Sequence, residues 1–250
     1  MADEISAPAR SRFSGRVWLV LACALGVIVF LAIVMPAVYD IRHQKRSFEI
    51  KKPITRLVFT SKGLGKVEIK PSGDGHVHIL RTSEVSRDSR LVERLRVSGK
   101  TLTIHSSCTG SRLGVLRRCN LRYRLRVPKK IALVLHVHVG SVTLRGLRGP
   151  LALKFGPFGT LDGFGCNKWA DVSLRFGSID YRDRCVPEHL RARIKGGDIK
   201  LTVPAGRYKV HAKKSANRPF ANIIEDSNSS NRIDADISWF GSVEIVGVRK

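Results

Sequence analysis

The stretch GSVTLRGLRGPLALKFGPFGTLDGFGCNKWADVSLRFGSIDYRDRCVPEHLRARIKGGDIKL, residues 140–201, carries the most regular pattern in the chain. It repeats one short unit: glycine, any residue, aliphatic or aromatic, any residue, aliphatic or aromatic. The unit stands as Gly140-Ser-Val-Thr-Leu144, Gly177-Ser-Ile-Asp-Tyr181 and Gly197-Asp-Ile-Lys-Leu201, with a shorter copy at Gly159-Thr-Leu-Asp162. Alternation with period two is the pattern of a strand with one buried face. Glycine supplies turn dihedrals that other residues avoid. Gly140, Gly159, Gly177 and Gly197 are 19, 18 and 20 residues apart, and Gly149 and the segment Ala170-Asp-Val-Ser-Leu174 fall between them.

The unit recurs later at Gly241-Ser-Val-Glu-Ile245 and earlier at Gly65-Lys-Val-Glu-Ile69 and Gly75-His-Val-His-Ile79. The expectation is an all-β domain over residues 54–250, built as a single-strand-repeat solenoid of the β-helix or β-roll kind, with about two strands per coil. Leu125-Arg-Val-Pro128 and Leu201-Thr-Val-Pro204 place proline at coil ends or corners. Strands every 8–12 residues also suit a β-sandwich, which is the alternative architecture. The polar stretch Asn217–Asn231 reads as a surface loop between the last coils.

Before the repeats, Val17–Val34 carries no charge, and Met35–Tyr39 extends the apolar run. Roughly 20 residues of helix span a bilayer core, so residues 17–39 are expected to form a transmembrane helix. Trp18 and Tyr39 stand at its interfacial ends. Residues 1–16 read as a disordered tail and 40–53 as a juxtamembrane linker. A cleaved signal peptide, a lipid-modified Cys23 and a buried core helix fit less well, because the run is long, apolar sequence continues past Cys23, and nothing else reads as helical. Arg10, Arg12 and Arg16 precede the run; Arg42, Lys45, Arg46, Lys51 and Lys52 follow it. Charge alone would therefore put the C-terminal domain inside. Long domains translocate despite their charge, and the cysteines point outward.

Besides Cys23 there are four cysteines, Cys108, Cys119, Cys166 and Cys185, which allow three pairings. Cys108 and Cys119 flank a loop between strand-like runs, and Cys166 and Cys185 are one repeat apart. The spacing favours Cys108–Cys119 and Cys166–Cys185, with four free thiols as the alternative. Disulfides persist in oxidising compartments. Localisation is accordingly expected as plasma membrane, single-pass, with a cytoplasmic N-terminus and an extracytoplasmic domain. No C-x-x-C pair suggests zinc.

The chain carries a net charge of +25; only three Arg and two acids fall within its first 39 residues, leaving +24 for the rest. Such a field attracts polyanions: nucleic acid, anionic lipid or anionic wall polymer. Alternation puts Arg122, Arg124 and Arg126 on one face of a strand, and Arg191, Arg193 and Lys195 on one face of another. Rows of guanidinium groups suit phosphate, so these six are the candidate polyanion face; the plain alternative is solvated strand surface. An aromatic content of 7% argues against nucleic acid, whose readers interleave aromatics with cations. His76/His78 and His136/His138 could each start a metal site, but no third ligand stands at fixed spacing. Asp162, Asp171, Asp180, Asp183 and Asp198 are candidate carboxylates for glycoside cleavage, though in turn or outward positions. No catalytic, metal or cofactor-binding residue is expected, and no cofactor.

The order Cys108…Cys119, Tyr123-Arg-Leu-Arg-Val-Pro128, the serial Gly-Ser-Val and Gly-Gly-Asp-Ile units, Val203-Pro-Ala-Gly-Arg-Tyr208 and Gly241-Ser-Val-Glu-Ile245 resembles the bacterial putative-adhesin family over about residues 54–248. The resemblance implies an exported β-repeat domain behind one membrane helix, without catalytic residues. The chain departs from it at Gly156-Pro157 and in its stronger basic character. The expected function is a non-catalytic interaction or structural role in the envelope, with anionic polymer or lipid as partner. The alternatives are the ectodomain of an envelope-stress sensing or regulatory system, and a polysaccharide hydrolase or lyase.

Overall fold

The computed structural model describes residues 15–39, 41–86, 89–110, 119–213 and 220–249. Two compact units result, Met1–Ile41 and Arg42–Lys250. The first holds helix α1, Gly15–Tyr39. Its side chains are described for residues 18–30, where Trp18, Leu21, Leu25, Ile28 and Phe30 are all exposed. A helix apolar on every side has no single stripe to bury against a globular core. Among the described residues no helix is long and apolar enough to cross a membrane. Gly15 and Arg16 belong to α1, and the rest of the expected 1–16 tail lies outside the described residues.

The second unit is all-β. Its strands are β1 Ile41–Ile50, β2 Arg56–Pro71, β3 Val77–Ser86, β4 Ser89–Ser98, β5 Thr101–Gly110, β6 Cys119–Val127, β7 Ala132–Leu147, β8 Leu151–Gly165, β9 Trp169–Asp183, β10 His189–Pro204, β11 Gly206–Lys213, β12 Phe220–Ala221, β13 Ile223–Glu225, β14 Arg232–Phe240 and β15 Val243–Val248. They form one long, open, mixed sheet running β1-β3-β6-β2-β7-β8-β9-β10-β14-β11-β13, with β5 also on β2 and β15 also on β10. Residues 41–50 of the expected linker 40–53 are instead strand β1, which lies beside β3. The expected loop 217–231 likewise contains β12 and β13.

Strands β2, β7, β8, β9 and β10 pair in parallel, and their glycines stand in register: Gly65, Gly140, Gly159, Gly177 and Gly197. Beyond β10 the unit is split, with β14 on the limb before the glycine and β15 on the limb after it. The Gly75 copy is not part of this stack, because β3 runs antiparallel to β6. Gly156-Pro157 sits where β8 carries one extra residue against both neighbours, a bulge that tolerates proline.

The glycine column is required by contact. Gly177 and Gly197 have φ of +135° and +127°. A Cβ on Gly177 would run into the Gly159 carbonyl oxygen, and one on Gly197 into that of Gly177. At Gly140, Gly177 and Gly197 backbone therefore packs directly on backbone, whereas a Cβ on Gly159 would meet the Phe155 ring. With the bends aligned, buried side chains align into ladders. Val142, Leu161, Ile179, Ile199 and Val243 form one, and Leu133, Leu151, Ala170, Leu190 and Ile233 another. Each fully buried Val, Leu or Ile contributes roughly 1.5–3 kcal/mol. Gly163 leaves a space in a third ladder, and the Tyr181 ring lies against it.

Disulfides join Cys108 to Cys119 and Cys166 to Cys185, with Cα atoms 6.4 and 4.8 Å apart. The second links the turns that follow β8 and β9. Beneath it lies a buried polar group: the Tyr181 hydroxyl donates to Asn167 Oδ1, Asn167 Nδ2 donates to the Gly149 carbonyl, and the Asn167 and Cys185 amides donate to Asp183. Burial raises the Asp183 pKa from 3.8 to about 6, against the lowering effect of those amides.

Two outcomes follow for stability. Gly177→Ala should cost roughly 3 kcal/mol or more in urea unfolding, from a strained φ and a backbone clash. Gly73→Ala, where a Cβ meets nothing within 4 Å, should stay within about 0.5 kcal/mol. Equal effects would remove the column's structural role. For Asp183, the folded state holds its proton more tightly than the unfolded chain does. Its contribution to stability should be fully present at or below about pH 4 and be lost as pH rises through 6, by on the order of 3 kcal/mol. Asp183→Asn should flatten melting temperature against pH in that window; an unchanged slope would contradict the assignment.

Candidate functional site

The sequence places three arginines on one face of β6, and the strand alternates accordingly. Cys119, Leu121, Tyr123, Leu125 and Val127 are buried, while Arg122, Arg124 and Arg126 are exposed. Their neighbours on β2 add to them: Lys66 stands beside Arg122, Glu68 beside Arg124 and Lys70 beside Arg126. On the other side, β3 brings His78 beside Arg126 and Thr82 beside Arg122. Five permanent cations thus share a strip two strands wide, where strands lie about 4.8 Å apart. Its carboxylate, Glu68, lies 2.6 Å from Lys70 Nζ and 3.8 Å from Arg124 Nε. The Lys70 hydrogen bond, then the charges of Lys70, Arg124 and Lys66, hold the Glu68 carboxyl below its ordinary pKa. Ionised Glu68 offsets one cation and leaves four in excess. A shallow depression of about 270 Å³ lies among Glu68, Lys70, Arg124, Leu125 and Arg126.

Arg191, Arg193 and Lys195 occupy a different place. They lie on the limb of β10 before its glycine, whereas β6 pairs with the limb of β2 after its glycine. The structure does not join the two rows into one face. Arg191 is 3.3 Å from Asp234, Arg193 is 3.4 Å from Asp171, and Lys195 Nζ lies 5.5 Å above the Trp239 ring. The β10 row is therefore largely met by its own neighbours, and the β6 row is not.

The other candidates also resolve into local pairings. His78 Nε2 lies 2.7 Å from Asp74 Oδ2, and Asp74 accepts the His76 amide at 3.0 Å. These bonds hold the Asp74 carboxyl below its ordinary pKa, the His76 amide most of all. His136 and His138 are exposed on β7. Among the described residues no group of three or more His, Cys, Asp or Glu could hold a metal ion. Asp162 and Asp180 are register neighbours, but Arg145 lies 2.6 Å from Asp162 and Arg182 3.4 Å from Asp180. Asp171 meets Arg193, Asp183 accepts amides, and Asp198 accepts the Ser242 hydroxyl at 2.7 Å.

Lys66 and Lys70 were not among the residues singled out from sequence. The period-two pattern of Gly65-Lys-Val-Glu-Ile69 marks them as outward, but their pairing with β6 joins segments far apart in the chain. A buried pair was missed as well: Arg81 Nη1 donates to Glu93 Oε2 at 2.6 Å, and the Tyr123 hydroxyl donates to Glu93 Oε1 at 2.7 Å.

No family model matches the chain, and no curated protein matches it. Solved structures similar to it include a putative cell adhesion protein from Clostridium sporogenes, 16% identical, with a TM-score of 0.49, covering 83% of this chain and 100% of that one. A putative adhesin from Bacteroides fragilis is 11% identical, with a TM-score of 0.43, covering 83% of this chain and 97% of its own. A putative lipid binding protein from Parabacteroides distasonis is 15% identical, with a TM-score of 0.28, covering 82% and 97%.

Proposed function

We propose that this chain is a membrane-anchored, non-catalytic binding protein. Its β domain stands outside the cytoplasm and grips an anionic envelope polymer or lipid headgroup. The observation that carries the reading is the β2–β6 strip: Lys66, Lys70, Arg122, Arg124 and Arg126 on one face, offset within the strip by Glu68 among the described residues. Guanidinium and ammonium groups in rows match repeated phosphate or carboxylate groups. Anchoring is supported by the uncharged run Val17–Val34 within α1, and export by the two disulfides. The in-register parallel stack supports a coiled repeat over a sandwich. A non-catalytic role is supported by the ion pairs and hydrogen bonds that engage the candidate carboxylates.

The full chain in detergent should bind polyphosphate, with affinity that falls steeply as salt rises, since exposed charges are screened within about 8 Å at physiological ionic strength. Replacing Arg122, Arg124 and Arg126 with Gln should weaken binding about tenfold or more at low salt and leave the melting temperature unchanged. Arg191→Gln with Arg193→Gln should matter less, because Asp234 and Asp171 already face those cations. Leu125→Ala should instead cost roughly 2–5 kcal/mol of stability. Undiminished polyphosphate binding by the triple Gln variant would remove the partner reading. For topology, alkaline phosphatase fused at the C-terminus should be active in a bacterial host; activity of a cytoplasmic reporter alone would reverse the orientation.

A further inference from the structure

The residue just before each column glycine forms a second line across the sheet. Leu64, Val139, Phe158, Phe176, Gly196 and Phe240 are register neighbours on successive strands. At about 4.8 Å per strand the line is roughly 24 Å long. The bend interrupts alternation there, so Val139 and Phe176 are only half-buried and Leu64, Phe158 and Phe240 are exposed. Leu64 is 57% exposed, Phe158 59% and Phe240 62%. Strand β14 carries one extra residue between Ile237 and Phe240 relative to β10, and Trp239 is 60% exposed beside Phe240. The aromatics hold one another in place. Phe176 lies 5.7 Å from Phe158, 5.6 Å from Trp239 and 6.2 Å from Phe240, centroid to centroid. Phe240 lies over Gly196, where a Cβ would come within 2.7 Å of its ring.

A packed aromatic line left in water is unusual for a soluble surface. Its flanks say what could cover it. Before the line stand Lys62, His138, Arg175 and Lys195, all exposed. After it stand Lys66, Ser141, Thr160, Ser178, Asp198 and Ser242; the carboxylate there, Asp198, already accepts the Ser242 amide and hydroxyl. Apolar rings bordered by cations and hydroxyls match the interface of an anionic bilayer, where acyl chains lie just below phosphate. A second copy of a chain with net charge +25 would be repelled. A hydrated polyanion offers no apolar layer for the rings.

We infer that the ridge Leu64–Val139–Phe158–Phe176–Trp239–Phe240 is a docking surface for an anionic lipid bilayer. The cationic flank meets headgroups, and the rings enter the interface. The inference does not rest on the polyanion strip, with which the ridge and its flanks share only Lys66.

Replacing Trp18 and Trp169 with Phe leaves Trp239 as the only tryptophan of the full chain. This variant is reconstituted with phosphatidylcholine, with or without phosphatidylglycerol. With phosphatidylglycerol, Trp239 emission should shift to the blue, and brominated acyl chains should quench it several-fold more than in phosphatidylcholine alone. Arg175→Gln with Lys195→Gln should reduce that difference; the triple Gln variant of β6 should not, which separates this inference from the strip. Water-like emission quenched by iodide in both lipids would overturn it. So would concentration-dependent shielding in detergent alone, which indicates a second copy. A blue shift on adding a neutral glycan without lipid would also overturn it, in favour of a sugar-stacking ridge.

Discussion

Backbone packed on backbone at the glycine column is the constraint on which the rest of the domain depends. Gly177 and Gly197 accept φ near +130° and stand so close to the preceding carbonyl that no side chain fits. Once the column is aligned, register follows on both limbs. A slip of one residue would turn every ladder of Val, Leu and Ile to water. The same alignment creates features with no role in the core. It puts the pre-glycine residue of each strand on one exposed line, and it sets outward residues side by side across strands. The aromatic ridge is thus a consequence of where the glycines stand, and the cationic strip of the register between β2 and β6.

Charge is distributed by the same geometry. On the limb after the glycine, the outward position three residues on carries Glu68, Thr143, Asp162, Asp180, Lys200 and Glu244 from strand to strand. Acids and pairing partners accumulate away from β2. On the limb before the glycine, Asp171 and Asp234 flank the β10 cations. Cations without matching acids therefore collect at β2 and β6. Net charge spread over the chain says little about partners, but a local excess on two paired strands does.

Much of this was legible in the sequence because the repeat is short-range. Gly140, Gly159, Gly177 and Gly197 at near-equal steps, the alternation of Leu121–Val127, and the spacing of Cys166 and Cys185 can each be read along the chain without knowing which strands pair. The rest depended on contacts between distant segments. Arg193 looks like a free outward cation until Asp171 of the neighbouring strand is placed beside it. Arg81, in the run Val77–Ser86, reads as an ordinary strand residue, yet it is buried against Glu93. Gly75-His-Val-His-Ile79 has the spelling of a stacked copy, and only chain direction shows otherwise. Residues 41–50 are polar enough to pass for a linker, because an edge strand turns mostly to water.

Cations have two uses in the domain. An open sheet has edges, and unpaired edges invite pairing with other chains unless they are short or charged. Strand β13 has three residues, so one end is blunted by length. Strand β1 carries Arg42, Lys45 and Arg46, and β4, which pairs with β5, exposes Arg90, Arg94 and Arg96. These cations guard edges by repulsion, which accounts for a share of the net charge without any ligand. Strand β6 lies between β3 and β2, and β2 between β6 and β7 on that limb. Neither needs such protection. Arg122, Arg124, Arg126, Lys66 and Lys70 repel one another on strands already paired on both sides, a cost that edge protection does not explain and that a bound anion would relieve.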